Sequence, residues 1–221
     1  LGQSQVLHEA LSRLKSSPAQ PLDSTQTRIV DAELLSMQHR GVALRGEQQA
    51  DFNRTSERMA ALSTGFSNHV LDATQNWSLV VHERAQLKGV PERALEILAS
   101  AAREAGDQAA DGSEPSAAEG PWRLGLDMPR YIPVITHAED RSLRETLYKA
   151  QVSRASSGDL DNAPLIEEIL QLRREQAERL GYANWAELSL ASKMAEDVSA
   201  VESLLEELRA SAMPVAQQEL Q

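Results

Sequence analysis

The sequence predicts a mainly α-helical fold, built of antiparallel helical hairpins and a bundle with one small two-stranded antiparallel ribbon. Three observations carry that expectation. Only eight of 221 residues are aromatic, while Leu, Ala, Glu, Gln and Arg dominate, which is the usage of packed helices rather than of a sandwich or barrel. Apolar residues recur at steps of three, four and seven through most of the chain, the period of one helix face. Only two short runs have strand character, WSLVV at residues 77–81 and WRLGL at residues 122–126, and they pair naturally as a ribbon.

In order along the chain, Leu7, Leu11 and Leu14 share a face of a first helix over residues 5–15, which the two prolines of SSPAQPLDS at 16–24 interrupt. Asp23 or Ser24 caps a second helix of about four turns carrying Val30, Leu34 and Met37. His39 and Arg40 fall at its end and Gly41 beyond, where positive charge and a left-handed residue are favoured. From Glu47, the positions Phe52, Met59, Leu62, Phe66, Val70 and Ala73 mark one long helix packed antiparallel on its predecessor. Pro91 stands at a first helical position, and Ala94, Leu95, Leu98 and Ala102 form a stripe that Gly106 ends.

Residues 106–121, GDQAADGSEPSAAEGP, are acidic, small and turn-rich, and are expected to form an exposed, mobile loop. The prolines of PRYIP at 129–133 disfavour a regular ladder. Leu143, Leu147 and Ala150 then mark a helix that ends in the polar run at 156–164. Pro164 reopens the helix, and Ile166, Ile169, Leu170, Ala177 and Leu180 continue it to Gly181. Asn184 and Glu187 have the spacing of a reciprocal capping box around Trp185. Asp197 starts a last helix with a broad apolar face, Val198, Val201, Leu204, Leu205, Leu208 and Ala212, which Pro214 is expected to kink.

Composition narrows the function. Acidic residues outnumber basic ones by 33 to 22, a formal charge of −11, and no basic stripe offsets it, so nucleic acid is not a predicted partner. No run reaches 18 apolar residues and the start lacks the regions of a signal peptide, so a soluble protein with no membrane partner is expected. The absence of cysteine excludes a disulfide framework and a thiolate metal site, and agrees with a reducing compartment. Residue 1 is Leu and the last apolar pattern still runs at Gln221, so both ends are expected to be cut.

A zinc site of the HExxH kind needs two histidines at i and i+4, which share a helix face, and a glutamate after the first as general base. His8-Glu9 and His82-Glu83 begin that motif, but Ser12 and Gln86 stand where the second histidine belongs. The five histidines, at 8, 39, 69, 82 and 137, include no pair three or four apart, so no local metal ligands are predicted. His69 lies near the edge of the long helix's apolar stripe, where a hydrogen-bonded structural imidazole is the preferred reading. The run Gly65-Phe66-Ser67-Asn68-His69 lacks the second glycine of a nucleophile elbow and lies within a helix. Glu167-Glu168 and Glu206-Glu207 point to different helix faces and solvate the surface. Asn53-Arg54-Thr55 and Asn76-Trp77-Ser78 match the glycosylation pattern, which means little without a secretory signal. The residues name no catalytic, cofactor-binding or metal-binding side chain in this chain.

Three stretches nevertheless stand out: LSTGFSNHVLDATQNW at 62–77, MPRYIPVITH at 128–137 and LASKMAED at 190–197. In this order and spacing they resemble the zinc metallo-oligopeptidases of the thimet oligopeptidase and oligopeptidase A type, whose members read close to SN-x-VLDAT-x-x-W, IPSYLPVMTY and LATKMAEN. The resemblance covers roughly residues 29–219. Departures are His137 where an aromatic residue is the pattern, Arg130 in place of a small one, and the alanine-rich loop at 107–119.

The resemblance implies two largely helical lobes flanking a deep channel, with one zinc held on its floor by an HExxH helix and a downstream glutamate. That zinc polarises the scissile carbonyl and lowers the pKa of its bound water, and the motif glutamate takes the proton. Those residues would lie beyond Gln221. Residues 1–121 then correspond to the later part of the N-terminal helical region and 122–221 to the opening helices of the catalytic region, truncated. The implied parent is a zinc metalloendopeptidase that hydrolyses short peptides. This segment forms channel wall and support, is inactive alone, holds no zinc, and has the remaining catalytic region as its partner. The exposed helix faces, residues 201–208 above all, are expected to self-associate. A cytoplasmic location is expected, with an organellar one as the alternative. Without the resemblance, a non-catalytic helical interaction module fits the same apolar stripes.

Overall fold

A computed structural model of the chain describes residues 2–17 and 21–220. Among these the elements run α1 Gln5–Ser16, α2 Ser24–His39, α3 Gly46–Asn76, β1 Ser78–Val81, α4 Glu92–Ala105, β2 Trp122–Gly125, α5 Met128–His137, α6 Arg141–Val152, α7 Ala163–Arg179, α8 Trp185–Leu190 and α9 Val198–Glu219. The fold is therefore mainly helical, with a single two-stranded sheet among the described residues. The chain divides into two compact units: a first, Leu1–Ala61 with Glu168–Gln221, and a second, Leu62–Glu167.

In the first unit the starts of the helices follow from their caps. The Ser4 hydroxyl accepts from the Leu7 N–H at the start of α1. Asp23 opens α2 with a full capping box, its carboxylate accepting from the Gln26 N–H at 2.7 Å while Gln26 Oε1 accepts from the Asp23 N–H at 3.1 Å. Of the predicted interruption before it, Pro18 lies outside the described residues. The face carrying Val30, Leu34 and Met37 is buried as its spacing predicts. α1 packs on α2 and is tied to it by Lys15–Asp31 at 2.7 Å, a surface pair worth about 0–1 kcal/mol. The opening half of α3 buries Phe52 and Thr55. Arg58 grips Glu168 with two hydrogen bonds of 2.6 and 2.7 Å, and Arg179 donates to Thr55 Oγ1 at 3.2 Å, so α7 runs antiparallel to α3 here.

Details of this unit depart from the sequence reading. Glu187 reaches the Ala183 N–H at 3.1 Å rather than that of Asn184, because its other oxygen is taken by Asn184 Nδ2 at 3.3 Å. The capping box is thus closed one residue early, although Asn184 still caps the Glu187 N–H. Leu170 of the predicted α7 stripe is exposed. α9 starts at its Asp197 cap, continues through Pro214 to Glu219 and buries none of its residues; Leu204, Leu205 and Leu208 are each more than half exposed.

The second unit has a sealed core. β1 and β2 pair antiparallel in the register Ser78↔Gly125 to Val81↔Trp122, as the two short runs predict. One face of the ribbon packs on α4, whose stripe of Ala94, Leu95, Leu98, Ala99 and Ala102 is buried. Trp122, Leu124, Leu95, Leu98, Val134 and Leu147 are each no more than 1% exposed. Burying one such aliphatic side chain stabilises the fold by about 1.5–3 kcal/mol. The Trp122 indole donates to the Ala117 carbonyl at 3.2 Å, which satisfies its only polar atom.

Three expectations change in this unit. Pro91 is the N-cap of α4 rather than its first residue, a position where its missing N–H equally costs nothing. Residues 128–137, read only as unsuited to a ladder, form α5. The Asp127 carboxylate accepts from the Arg130 N–H, Pro129 sits in the donor-free first turn, and Pro133 forfeits a single bond while Tyr131 and Val134 are buried. The 106–121 loop is exposed at residues 110–114 but pinned on both sides. Arg103 donates to the Pro115 carbonyl at 2.6 Å, Ser116 bridges Gly120, and Arg123 holds Asp107 with bonds of 2.6 and 2.7 Å.

Backbone geometry ties this unit together elsewhere. Gly89, at φ +92°, lies so close to the His137 carbonyl that a Cβ would collide with it. Ala155 adopts a left-handed conformation, φ +51°, while 8% exposed; for a residue with a Cβ this costs roughly 1–2 kcal/mol. Its carbonyl accepts from the Asn162 N–H at 2.9 Å, and Asn162, itself 3% exposed, donates to the Phe66 carbonyl and meets His69 Nδ1 at 2.9 Å.

Candidate functional site

The two partial metal motifs stay partial in space. His8 and Glu9 lie on α1, with Ser12 one turn on; His82 and Glu83 follow β1, exposed, with Gln86 in the short 3₁₀ turn Arg84–Leu87. Among the described residues no three His, Asp or Glu side chains converge as metal ligands.

The other histidines have structural partners. His69 is hydrogen-bonded to Asn162 as described, the arrangement its position on α3 suggests. His39 Nε2 lies 2.8 Å from the Tyr182 hydroxyl, with the rings edge to face, and partial burial lowers its pKa. His137 is exposed in the last turn of α5. Ser67, in the discarded elbow, donates to the Ser63 carbonyl one turn back on the helix and faces no base. Of the adjacent carboxylates, Glu168 and Glu206 are held by Arg58 and Arg209, whose hydrogen bonds lower their pKa.

What the second unit does present is a pair of open hollows on either side of the end of α3. One, about 790 Å³, is walled by Gln75, Asn76, Ser78, Ile97, Arg123 and Arg130 among others. The second, about 610 Å³, is walled by Asn76, Trp77, Leu126, Ala155, Asp159 and Leu160 among others. Both arginines of the first are neutralised: Arg123 by Asp107, whose pKa its hydrogen bond lowers, and Arg130 by Asp127. The Arg130 guanidinium lies where a Cβ on Gly125 would stand, so a side chain there displaces the arginine. The first hollow also holds Ser100, whose hydroxyl donates to Glu104 Oε1 at 3.3 Å.

Sequence reading marked Asn76 only as part of a motif, and Trp77 also as the start of the first strand run, which begins one residue later at Ser78. It assigned Asp107 to a mobile loop, and no local signal linked it to Arg123, sixteen residues away.

Comparison with known proteins gives one family. The model of peptidase family M3 matches residues 134–221. Along its whole length the chain is 40% identical over 222 residues to a probable cytosolic oligopeptidase A of Arabidopsis thaliana, covering 31% of it. It is 40% identical to an organellar, chloroplastic/mitochondrial oligopeptidase A of the same plant, covering 27%. It is 36% identical over 226 residues to oligopeptidase A of Escherichia coli (strain K12), covering 32%. The chain spans about a third or less of the length of these relatives. Among the described residues no helix is long and apolar enough to cross a membrane.

Proposed function

The chain belongs to peptidase family M3, the family of oligopeptidase A, and on that premise we propose that its parent is a zinc-dependent oligopeptidase that hydrolyses short, unstructured peptides. In this reading the segment supplies channel wall and helical support and cleaves nothing by itself. The observation that carries it is 36–40% identity to oligopeptidase A proteins across the full length of the segment. Residues 1–121 form the later part of the N-terminal helical region and 122–221 the opening helices of the catalytic region, and the start of the family match at residue 134 supports that division. The cytosolic and organellar relatives support a cytoplasmic or organellar site of action, and we read the cytoplasm as the first choice.

The same reading gives α9 its role. Its exposed leucines pack against the remaining catalytic region of the parent and, in the isolated segment, pair between copies. The test is a quenched fluorescent peptide. With zinc present the purified segment leaves it intact, whereas the full-length parent cleaves it and a chelator abolishes the cleavage. Cleavage by the segment overturns its assigned inactivity, and a parent without two histidines and a glutamate in metal-ligand spacing overturns the reaction.

A further inference from the structure

We propose that the tip of the loop after α4, residues 110–114, is a processing site for a protease that takes small side chains, and that a cut there leaves two pieces joined in one folded second unit.

Residues 110–114 are exposed. The hydrogen bonds of the tip are local: the Ala109 N–H donates to the Ser113 carbonyl at 3.1 Å, the Gly112 N–H to the Ala109 carbonyl at 2.9 Å, and the Ser113 N–H to the Asp111 carboxylate at 2.9 Å. Opening the tip to fit a protease breaks these bonds and leaves the anchors on either side in place. Ala109 and Ala110 supply the small side chains that the specificity pocket of an elastase accepts. Hydrolysis of the Ala110–Asp111 bond adds the hydroxyl of water to the Ala110 carbonyl carbon and its proton to the Asp111 nitrogen. Both new termini stand in solvent, where their charges stay hydrated.

The two pieces share what holds the unit together. One carries β1 and α4, the other β2, α5 and α6. β1 pairs with β2, and α4 packs on β2. The sealed core mixes Leu95 and Leu98 of the first piece with Trp122, Leu124, Val134 and Leu147 of the second. Polar ties cross the cut as well, from Arg103 to the Pro115 carbonyl at 2.6 Å and from Arg123 to Asp107 at 2.6 and 2.7 Å. The stretch between α8 and α9 at 191–196 is a contrast. It too is largely exposed, but a cut there frees α9, which buries none of its residues.

The experiment is limited proteolysis of the 221-residue chain with elastase, read by mass spectrometry and by size exclusion in buffer and in denaturing urea. A cut falls between residues 109 and 114, and its two pieces elute together in buffer and apart in urea. The cut chain unfolds at a lower urea midpoint than the intact one. That midpoint falls further on dilution by about tenfold, because the pieces part as they unfold. A tip left uncut, pieces that separate in buffer, or a midpoint blind to dilution overturns the proposal.

Discussion

The second unit closes its apolar faces on one another, whereas the first leaves its longest amphipathic surface, α9, open. Both were built from the same helical periods. The difference teaches that a hydrophobic stripe states what a helix will bury if a partner is present, and that the partner is a separate fact.

The sharpest way to break this comparison is a pair of truncations. Leu147→Ala empties a site with no exposed surface and is expected to destabilise the chain by about 2–5 kcal/mol, while Leu205→Ala, 59% exposed on α9, stays within about 0.5 kcal/mol. Urea unfolding of the two variants checks this, and equal losses would show that α9 is covered in solution. Next is Gly89→Ala, which forces a left-handed alanine against the His137 carbonyl. It is expected to cost roughly 1–3 kcal/mol, read as a lowered unfolding midpoint.

Smaller effects separate the units by pH. Asp107 in the second unit has its pKa lowered by the Arg123 hydrogen bond, so its stabilisation is present above the ordinary carboxylate value of about 3.9 and is lost as pH falls through the lower folded value. Asp107→Asn should remove that part of the acid dependence, which thermal melts of both forms below pH 4.5, roughly where carboxylates begin to titrate, will detect. In the first unit, burial lowers the pKa of His39, so the folded state resists protonation. Stability should decline as pH drops below about 6.5 and level off once the folded imidazole is charged. His39→Gln should flatten that slope, and an unchanged slope assigns it to another group.

Helices, caps and ribbon were legible because each depends on residues a few positions apart: Asp23 just ahead of the Val30 stripe, Gly106 after Ala102, Trp122 opposite Val81 on matching short runs. α5 was not, because its two prolines speak against helix individually and are harmless only at the positions the Asp127 cap assigns them. The loop after α4 read as free because its anchors, Arg103 and Arg123, lie outside it. The absence of a second histidine near residues 8 and 82 was plain from spacing. The two hollows beside Asn76 were hidden, since their walls come from α4, α5 and the turn after α6. Gln176 marks a further limit: it is buried on α7 beside Ala177 of the predicted stripe, and its Oε1 finds no donor among the described residues.

The left-handed alanine at 155 also dictates which alphabet that position accepts. In a saturation library scored for retained folding, glycine and asparagine should pass there and valine and isoleucine should drop out, the reverse of the preference at an ordinary interior site, because branching at Cβ is intolerable at φ +51°.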